Sequence, residues 1–175
     1  MEDAFLLMRA LKGDRGAFTQ LYDRHSAGVF GYALRIVRER SAAEDVVQET
    51  FVGLLGGRRY DSGRPFTSWL LAIARNAAID LLRRRKTRRE VGAEEELLSH
   101  PAQSGPDTDA REMVETALRG IPDEFREAVW LCDGMGLTYQ EASEVMGCET
   151  GTVGSRVARG RKLLKEQFAR AGHEV

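Results

Sequence analysis

The sequence has 175 residues, enough for one medium-sized domain or two small ones, and its 42% hydrophobic and 30% charged residues are typical of a globular protein. It contains no run of about 18 apolar residues that could cross a bilayer, and its first residues do not resemble a secretory signal, so we expect a cytoplasmic protein without membrane insertion. The net charge of −1 argues against nonspecific binding of polyanions by the whole surface, although basic residues are concentrated at 83–89 and again at 156–165.

The first predicted elements are a short helix over residues 3–11 and a longer helix with a core stripe almost six turns long. His25 lies on this stripe, and we expect it to be a packed core residue rather than a ligand. The stripe follows helical spacing through Phe18, Leu21, Tyr22, His25, Val29, Tyr32 and Ile36.

A third helix is predicted over residues 42–55, opened by a capping box of Ser41 and Glu44. Its apolar side consists of Val46, Val47, Thr50, Phe51 and Leu54. The opposite side carries Asp45, Gln48 and Glu49, here called the acidic patch, and no basic residue follows these three at i+4. The patch has two interpretations, as ordinary solvated helix surface or as a docking surface for a basic partner.

Residues 56–65 have the glycines, proline and polar residues of a loop, together with one aromatic residue, Tyr60, and three arginines. The helix predicted over residues 66–86 buries Leu70, Ile73, Ala74, Ala77 and Leu81 and leaves Arg75, Asn76, Arg83 and Arg84 available. An aromatic loop that leads into a helix with amides and arginines is typical of a nucleic-acid surface.

From residue 87 to residue 107 the sequence loses its periodicity and gains prolines, glycines and the acidic run Glu94, Glu95 and Glu96, which predicts a flexible linker. A short helix over residues 110–118 should end at Gly120. Another helix should have Pro122 as its first residue and Phe125, Ala128, Val129 and Cys132 on one side. Cys132 and Cys148 belong to no CxxC or Cys/His cluster, so we expect reduced thiols, with Cys132 buried, and no metal site or disulfide.

Residues 138–162 predict two helices joined by a tight turn. Thr138 and Glu141 form a capping box, and Gly147 falls where a helix end requires a left-handed residue. The second helix carries an apolar stripe of Val153, Val157, Gly160 and Leu164 and leaves Thr150, Ser155, Arg156, Arg159 and Arg161 mostly on other faces. This pattern favours a helix-turn-helix that reads DNA, and the alternative is an amphipathic hairpin with a solvated basic face.

Taken in order, these motifs resemble a bacterial extracytoplasmic-function (ECF) sigma factor of the sigma-70 family. The resemblance covers nearly the whole chain and is carried by AEDVVQETF at 43–51, FTSWLLAIARNAAIDLLRRRK at 66–86, LTYQEA at 137–142 and GTVGSR at 151–156. It implies an all-α fold of two small helical domains, residues 1–87 and 108–175, joined by an acidic linker at 88–107. It also implies a subunit that binds core RNA polymerase and directs it to promoters, without catalytic residues, metal or cofactor.

The resemblance assigns roles to particular residues. The acidic patch of Asp45, Gln48 and Glu49 would dock on the coiled coil of the largest polymerase subunit, and the second domain would contact the flap. The promoter minus-10 element would be melted and read as a single strand by Tyr60, Asp61, Ser62, Arg64, Arg75, Asn76, Arg83 and Arg84, with one base flipped out and Trp69 in the core. The minus-35 element, as duplex DNA, would be read by Thr150, Thr152, Gly154, Ser155, Arg156 and Arg159.

Gly154 departs from the family pattern, which usually has Lys or Arg at this position, so a long donor is missing from the recognition helix. The linker would run toward the RNA exit path of the polymerase, and an anti-sigma factor would hold the protein inactive, for a stress or envelope-type regulon. Three alternatives remain: an enzyme, for which no catalytic arrangement is present; a stand-alone helix-turn-helix regulator or pseudo-sigma; and an interaction protein that does not dock on polymerase.

Overall fold

The computed structural model describes residues 2–56, 59–61, 63–90, 114 and 116–170, and the regular structure within these ranges is helical throughout. The chain divides into two compact units, residues 1–102 and 103–175. None of the helices in the described ranges is long and apolar enough to cross a membrane. The predicted all-α class is confirmed. The helices are α1 Glu2–Leu11, α2 Arg15–Val37, α3 Arg40–Leu55, α4 Phe66–Glu90, α5 Asp123–Val129, α6 Tyr139–Met146 and α7 Thr150–Arg170.

In the first unit α2 packs against α1, α3 and α4. It begins after Asp14, whose side chain accepts a hydrogen bond from the Ala17 amide at 3.0 Å. That bond, together with one from Arg9, lowers the pKa of the Asp14 carboxyl. The predicted core stripe is correct for Leu21, Val29 and Tyr32, which are buried, whereas Phe18, His25 and Ile36 are half-buried. Tyr22 is 40% exposed.

The capping box predicted at the start of α3 is wrong. The helix begins at Arg40, and Glu39 at its N-cap makes no side-chain capping bond. Ser41 Oγ donates to the Glu39 carboxylate instead. Arg40 Nε donates to Glu44 Oε1 at 3.0 Å, so the residue expected to close the box belongs to an ion pair one turn along the helix.

Helix α4 runs to Glu90, four residues past the predicted end at Lys86 and into the predicted linker. Its core residues Leu70, Ile73, Ala74 and Ala77 are buried as predicted, whereas Leu81 is half-buried. The remainder of the predicted linker, including Glu94, Glu95 and Glu96, lies outside the described residues. So does most of the predicted helix at 110–118, of which residues 114 and 116–118 are helical.

In the second unit Pro122 is the N-cap of α5 rather than its first residue, so the helix begins one residue later than predicted, at Asp123. The helix continues as a π-helical turn at Trp130–Gly134, which the sequence pattern did not predict. Cys132 lies in this turn and is half-buried, so the prediction of a buried thiol is wrong. Burial, followed by the neighbouring Asp133 carboxylate, raises the pKa of the Cys132 thiol, which disfavours the reactive thiolate.

The predicted helix-turn-helix is formed by α6 and α7. Thr138 and Glu141 make both bonds of the predicted capping box, and Gly147 ends α6 in the left-handed conformation with φ 64°. Helix α7 buries Val153, Val157 and Gly160 against the rest of the unit.

Candidate functional site: two nucleic-acid surfaces and a docking face

The acidic patch lies on the outward side of α3, where Asp45, Gln48 and Glu49 are all exposed. Val52, one turn further along the same side, is 70% exposed. The opposite side of α3 is buried in the unit, so the patch is displayed by a helix that the core holds in place. The lining of an open groove of about 430 Å³ between α2 and α3 includes Phe30, Val47 and Gln48.

The α3–α4 loop, of which residues 59–61 and 63–65 are described, is closed by hydrogen bonds of its own. Asp61 Oδ1 accepts from the Gly63 amide at 3.0 Å, and the Asp61 carbonyl accepts from the Arg64 amide at 3.0 Å. The Tyr60 hydroxyl donates to the Arg64 carbonyl oxygen at 2.5 Å. Ser62, a predicted site residue, lies outside the described residues. The described part of the loop is therefore held by its own hydrogen bonds.

An aromatic cluster of Tyr60, Phe66 and Trp69 joins this loop to the first turns of α4. The Tyr60 ring centroid lies 5.5 Å from that of Phe66 and 5.0 Å from that of Trp69, and the Phe66 and Trp69 centroids are 5.6 Å apart. Phe66 is buried, whereas Tyr60 and Trp69 are half-buried, so Trp69 is only partly the core residue expected. Burial, and then the Asp3 and Asp61 carboxylates, raise the pKa of Tyr60, so its hydroxyl remains a donor.

A polar line continues from the aromatic cluster along α4. Residues seven apart share a face of a helix, so Asn76 and Arg83 follow Trp69 at intervals of about 10 Å. Asn76 is exposed, and Arg83 is exposed with its Nη1 atom 3.6 Å from Asp80. Arg84 is exposed beside this line, whereas Arg75 is half-buried on another side of the helix. Aromatic, amide and guanidinium groups on one line suit a single strand of nucleic acid.

On α7 one outward face carries Ser155 and Arg159, both exposed and four residues apart. Lys162 lies on the same face and is exposed, although the sequence prediction did not include it among the DNA-binding residues. Helical periodicity would have found it, because residues 155, 159 and 162 follow i, i+4 and i+7 spacing. Neither Arg159 nor Lys162 forms an ion pair with any residue between 116 and 170 of the second unit.

The other predicted minus-35 residues are engaged within the unit. Thr150 Oγ1 donates to Gln140 Oε1 at 3.0 Å. Thr152 is half-buried, and its carbonyl oxygen accepts a hydrogen bond from Ser155 Oγ. Arg156 is half-buried one turn before Arg159, nearer to the buried side of α7. Its Nη2 atom lies 3.7 Å from Glu124, and its Nη1 atom donates to the Cys148 sulfur at 3.8 Å.

Gly154 lies under the ring of Tyr139. A Cβ atom at Gly154 would meet this ring at 3.5 Å, and Tyr139 is 41% exposed. This is an ordinary van der Waals distance, so the ring borders the place where a side chain at position 154 would leave α7.

Arg161 does not face outward freely. Its Nε and Nη2 atoms donate to the two oxygens of Asp133 at 2.9 and 2.6 Å, which ties α7 to the π-helical turn. These bonds lower the pKa of Asp133 and raise that of Arg161. In the described part of the chain no three histidine, cysteine or carboxylate side chains come together to hold a metal ion.

Comparison with known proteins accounts for both units. Residues 21–88 match the family model of sigma-70 region 2, and residues 111–164 match that of sigma-70 region 4. The ECF RNA polymerase sigma factor SigE of Mycolicibacterium smegmatis is 35% identical over 93% of this chain and 67% of its own length. The chain belongs to the ECF sigma factors of the sigma-70 family.

Other relatives agree with this assignment. The sigma factor CarQ of Myxococcus xanthus is 34% identical over 93% of this sigma factor and 95% of its own length. Among solved structures, CnrH in complex with the cytosolic domain of CnrY has a TM-score of 0.71 at 29% identity and covers 97% of this chain and 99% of its own. The sigma factor RpoE of Bartonella quintana, in complex with the anti-sigma factor NepR, has a TM-score of 0.67 at 30% identity and covers 87% and 96% of the two chains.

Proposed function

We propose that this sigma factor reads a promoter at two points, with the α3–α4 loop and α4 on the melted minus-10 element and the outward face of α7 on the minus-35 duplex. As a family member it is a transcription initiation factor rather than an enzyme, and it brings promoter specificity to core RNA polymerase. The observation that carries the proposal is the match to region 2 and region 4, in that order, on the two units that carry these surfaces.

The proposed contact with core polymerase is the acidic patch of Asp45, Gln48 and Glu49. All three are exposed on a helix whose other side is fixed in the core, which suits docking without rearrangement. The partner would be the basic coiled coil of the largest polymerase subunit, because unlike charges steer association. The flap remains the proposed contact of the second unit.

At the minus-10 element, the aromatic cluster offers the half-buried rings of Tyr60 and Trp69 beside a loop closed by its own hydrogen bonds. Stacking on such a surface contributes about 1–3 kcal/mol per base, which can offset the few kcal/mol needed to unstack a base from the duplex. Asn76, Arg83 and Arg84 would hold the strand beyond the flipped base. Asp61, Ser62, Arg64 and Arg75 remain proposed contacts of the same element.

At the minus-35 element, Arg159 is the proposed base-reading arginine, with Ser155 and Lys162 beside it. A good bidentate arginine contact discriminates between bases by about 1–3 kcal/mol. Arg156 is a weaker candidate for a base contact than the sequence alone indicated, because its guanidinium lies beside Glu124 and Cys148. Thr150, Thr152 and Gly154 complete the proposed surface, where Thr150 and the backbone would contact phosphate.

We also propose an anti-sigma partner, by analogy with two similar structures whose partners are CnrY and NepR. The protein would then act in the cytoplasm, where it would be released from this partner to serve a stress or envelope-type regulon.

The test is in vitro transcription with core polymerase on a library of promoter sequences. Core enzyme with the wild-type protein should select a family of promoters with two conserved elements, and Asp45→Lys with Glu49→Lys should abolish core binding. Asp23→Lys is the matched control, because it reverses an exposed carboxylate on α2 outside the patch and should leave core binding unchanged. If core enzyme gains no promoter selectivity while the protein alone binds duplex DNA, a stand-alone regulator is the correct function.

A further inference from the structure

We propose that His25 is a positioning residue that couples the amino-terminal helix α1 to the aromatic cluster of the α3–α4 loop. Through this contact α1 would help to hold the surface on which the flipped base rests. The inference depends on the proposed function of that loop in minus-10 capture. It gives a role to a segment that precedes the region 2 match, which begins at residue 21.

The first half of the connection is polar. His25 Nε2 lies 3.2 Å from Asp3 Oδ2, and the histidine side chain is only 11% exposed. The other oxygen of Asp3 accepts from Arg24 Nη1 at 2.5 Å, and Arg24 also pairs with Glu2 at 3.2 Å. Asp3 is therefore fixed between two adjacent side chains of α2, and it gives the imidazole a defined orientation.

The second half of the connection is aromatic. The His25 ring centroid lies 5.0 Å from that of Phe66, with the ring planes inclined at 51°. Phe66 is 5% exposed and is the buried member of the aromatic cluster, 5.5 Å from Tyr60 in an edge-to-face arrangement. Such ring contacts are directional, so a change in the plane of the imidazole passes to Phe66 and from there to Tyr60.

The pKa of Tyr60 also supports a connection between α1 and the α3–α4 loop. The Asp3 carboxylate contributes to raising the pKa of Tyr60, although the two residues are 57 positions apart in the sequence. The first turn of α1 is thus near enough to the loop for its charge to act on the Tyr60 hydroxyl, which donates to Arg64 and closes the loop.

The filling of space alone does not explain why residue 25 is a histidine. An apolar ring would fill the same volume without the desolvation cost of a polar imidazole, whereas an imidazole bonded to Asp3 has a single orientation. The pairing of Asp3 and His25 is explained if that orientation matters to the rings that contact it.

The experiment uses holoenzyme formed from core polymerase and the full chain, on a promoter recovered in the transcription assay. Fluorescence of 2-aminopurine placed in the non-template strand of the minus-10 element reports base flipping, and binding of a minus-35 duplex fragment reports the second unit. His25→Phe keeps a ring but loses the bond to Asp3, and His25→Gln keeps a donor but loses the ring. Asp3→Asn keeps an acceptor oxygen and is the conservative rescue.

We expect both His25 variants to reduce the equilibrium constant for base flipping by about 2- to 10-fold, the range of one directional aromatic contact. Asp3→Asn should stay within about twofold of wild type, as should minus-35 binding and core binding in every variant. Arg9→Ala is the matched control, because it breaks an ion pair between α1 and Asp14, the residue before α2, without touching Asp3, His25 or Phe66. It too should flip the base almost normally.

Unchanged flipping in both His25 variants would overturn the inference while leaving the proposed function intact. An equal loss in Arg9→Ala would also overturn it, because general attachment of α1 rather than the imidazole would then be responsible. If wild-type holoenzyme itself gives no 2-aminopurine signal on a promoter that it transcribes, the proposed role of the α3–α4 loop fails instead. If a His25 variant no longer binds core polymerase, Asp3→Ala replaces it. This substitution removes the carboxylate that bonds His25 without changing a residue in the interior of the first unit.

Discussion

Replacing Gly160 with alanine tests how the recognition helix α7 is seated on α5. An alanine Cβ would lie 2.5 Å from Val129 Cγ2 and 2.9 Å from the carbonyl oxygen of Phe125. The oxygen belongs to the backbone and cannot rotate away, so α7 would have to move. Overpacking of this kind costs about 1–3 kcal/mol, and alanine recovers about 0.5–1 kcal/mol of helix propensity, so we expect a net loss of up to about 2.5 kcal/mol.

Gly151→Ala is the matched control on the same helix. Nothing lies within 4 Å of a Cβ atom at that position, so alanine should be neutral or should stabilise the unit by up to about 1 kcal/mol. The chain has two tryptophans, Trp69 in the first unit and Trp130 in the second. In a Trp69→Phe background, urea unfolding followed by Trp130 fluorescence therefore reports the second unit, and the change should appear in the midpoint at constant m. Equal midpoints for Gly160→Ala and Gly151→Ala would refute the close approach of α7 to α5.

Three further predictions concern Arg159, Asp133 and Arg38. Arg159→Ala should lower affinity for a minus-35 duplex by about 1–3 kcal/mol in a fluorescence anisotropy titration, whereas Arg156→Ala should mainly lower the urea midpoint of the second unit. The pKa of Asp133 is held below its usual 3.8 by Arg161, so this pair stabilises the fold above that pH and the contribution disappears as the pH falls through the lower folded-state value. Asp133→Asn should therefore reduce the fall of the urea midpoint as the pH drops below about 3.8, and an unchanged profile of midpoint against pH would contradict this. Arg38 ends α2 with φ 60°, a conformation that glycine adopts without strain, so Arg38→Gly should raise the stability of the first unit by about 1 kcal/mol in thermal unfolding. An unchanged or lower melting temperature would contradict this.

The two capping boxes show which local rules suffice to predict structure. Thr138 and Glu141 make both bonds of the box, as expected. Ser41 and Glu44 have the same spacing, but the Ser41 hydroxyl donates to Glu39 and the Glu44 carboxylate accepts from Arg40. The helix therefore begins earlier and has no capping box. The motif specifies a possible set of hydrogen bonds, and the flanking charges decide which bonds form.

Helix periodicity predicted most of the buried residues and the turn at Gly147, since these depend on spacing alone. The π-helical turn at Trp130–Gly134 was missed because an extra residue in one helical turn leaves no mark on an apolar pattern. The contact of His25 with Phe66 was also missed, as was the ring of Tyr139 over Gly154. These contacts join residues on different helices, and no single periodic pattern contains both partners.

Two of the basic side chains on α7, Arg156 and Arg161, already lie beside the carboxylates of Glu124 and Asp133. A side chain that is neutralised within the fold displaces fewer cations from DNA, and each phosphate contact that is lost lowers the slope of log affinity against log salt by about 0.9. Promoter binding by this unit should therefore weaken less steeply with ionic strength than its number of arginines and lysines suggests.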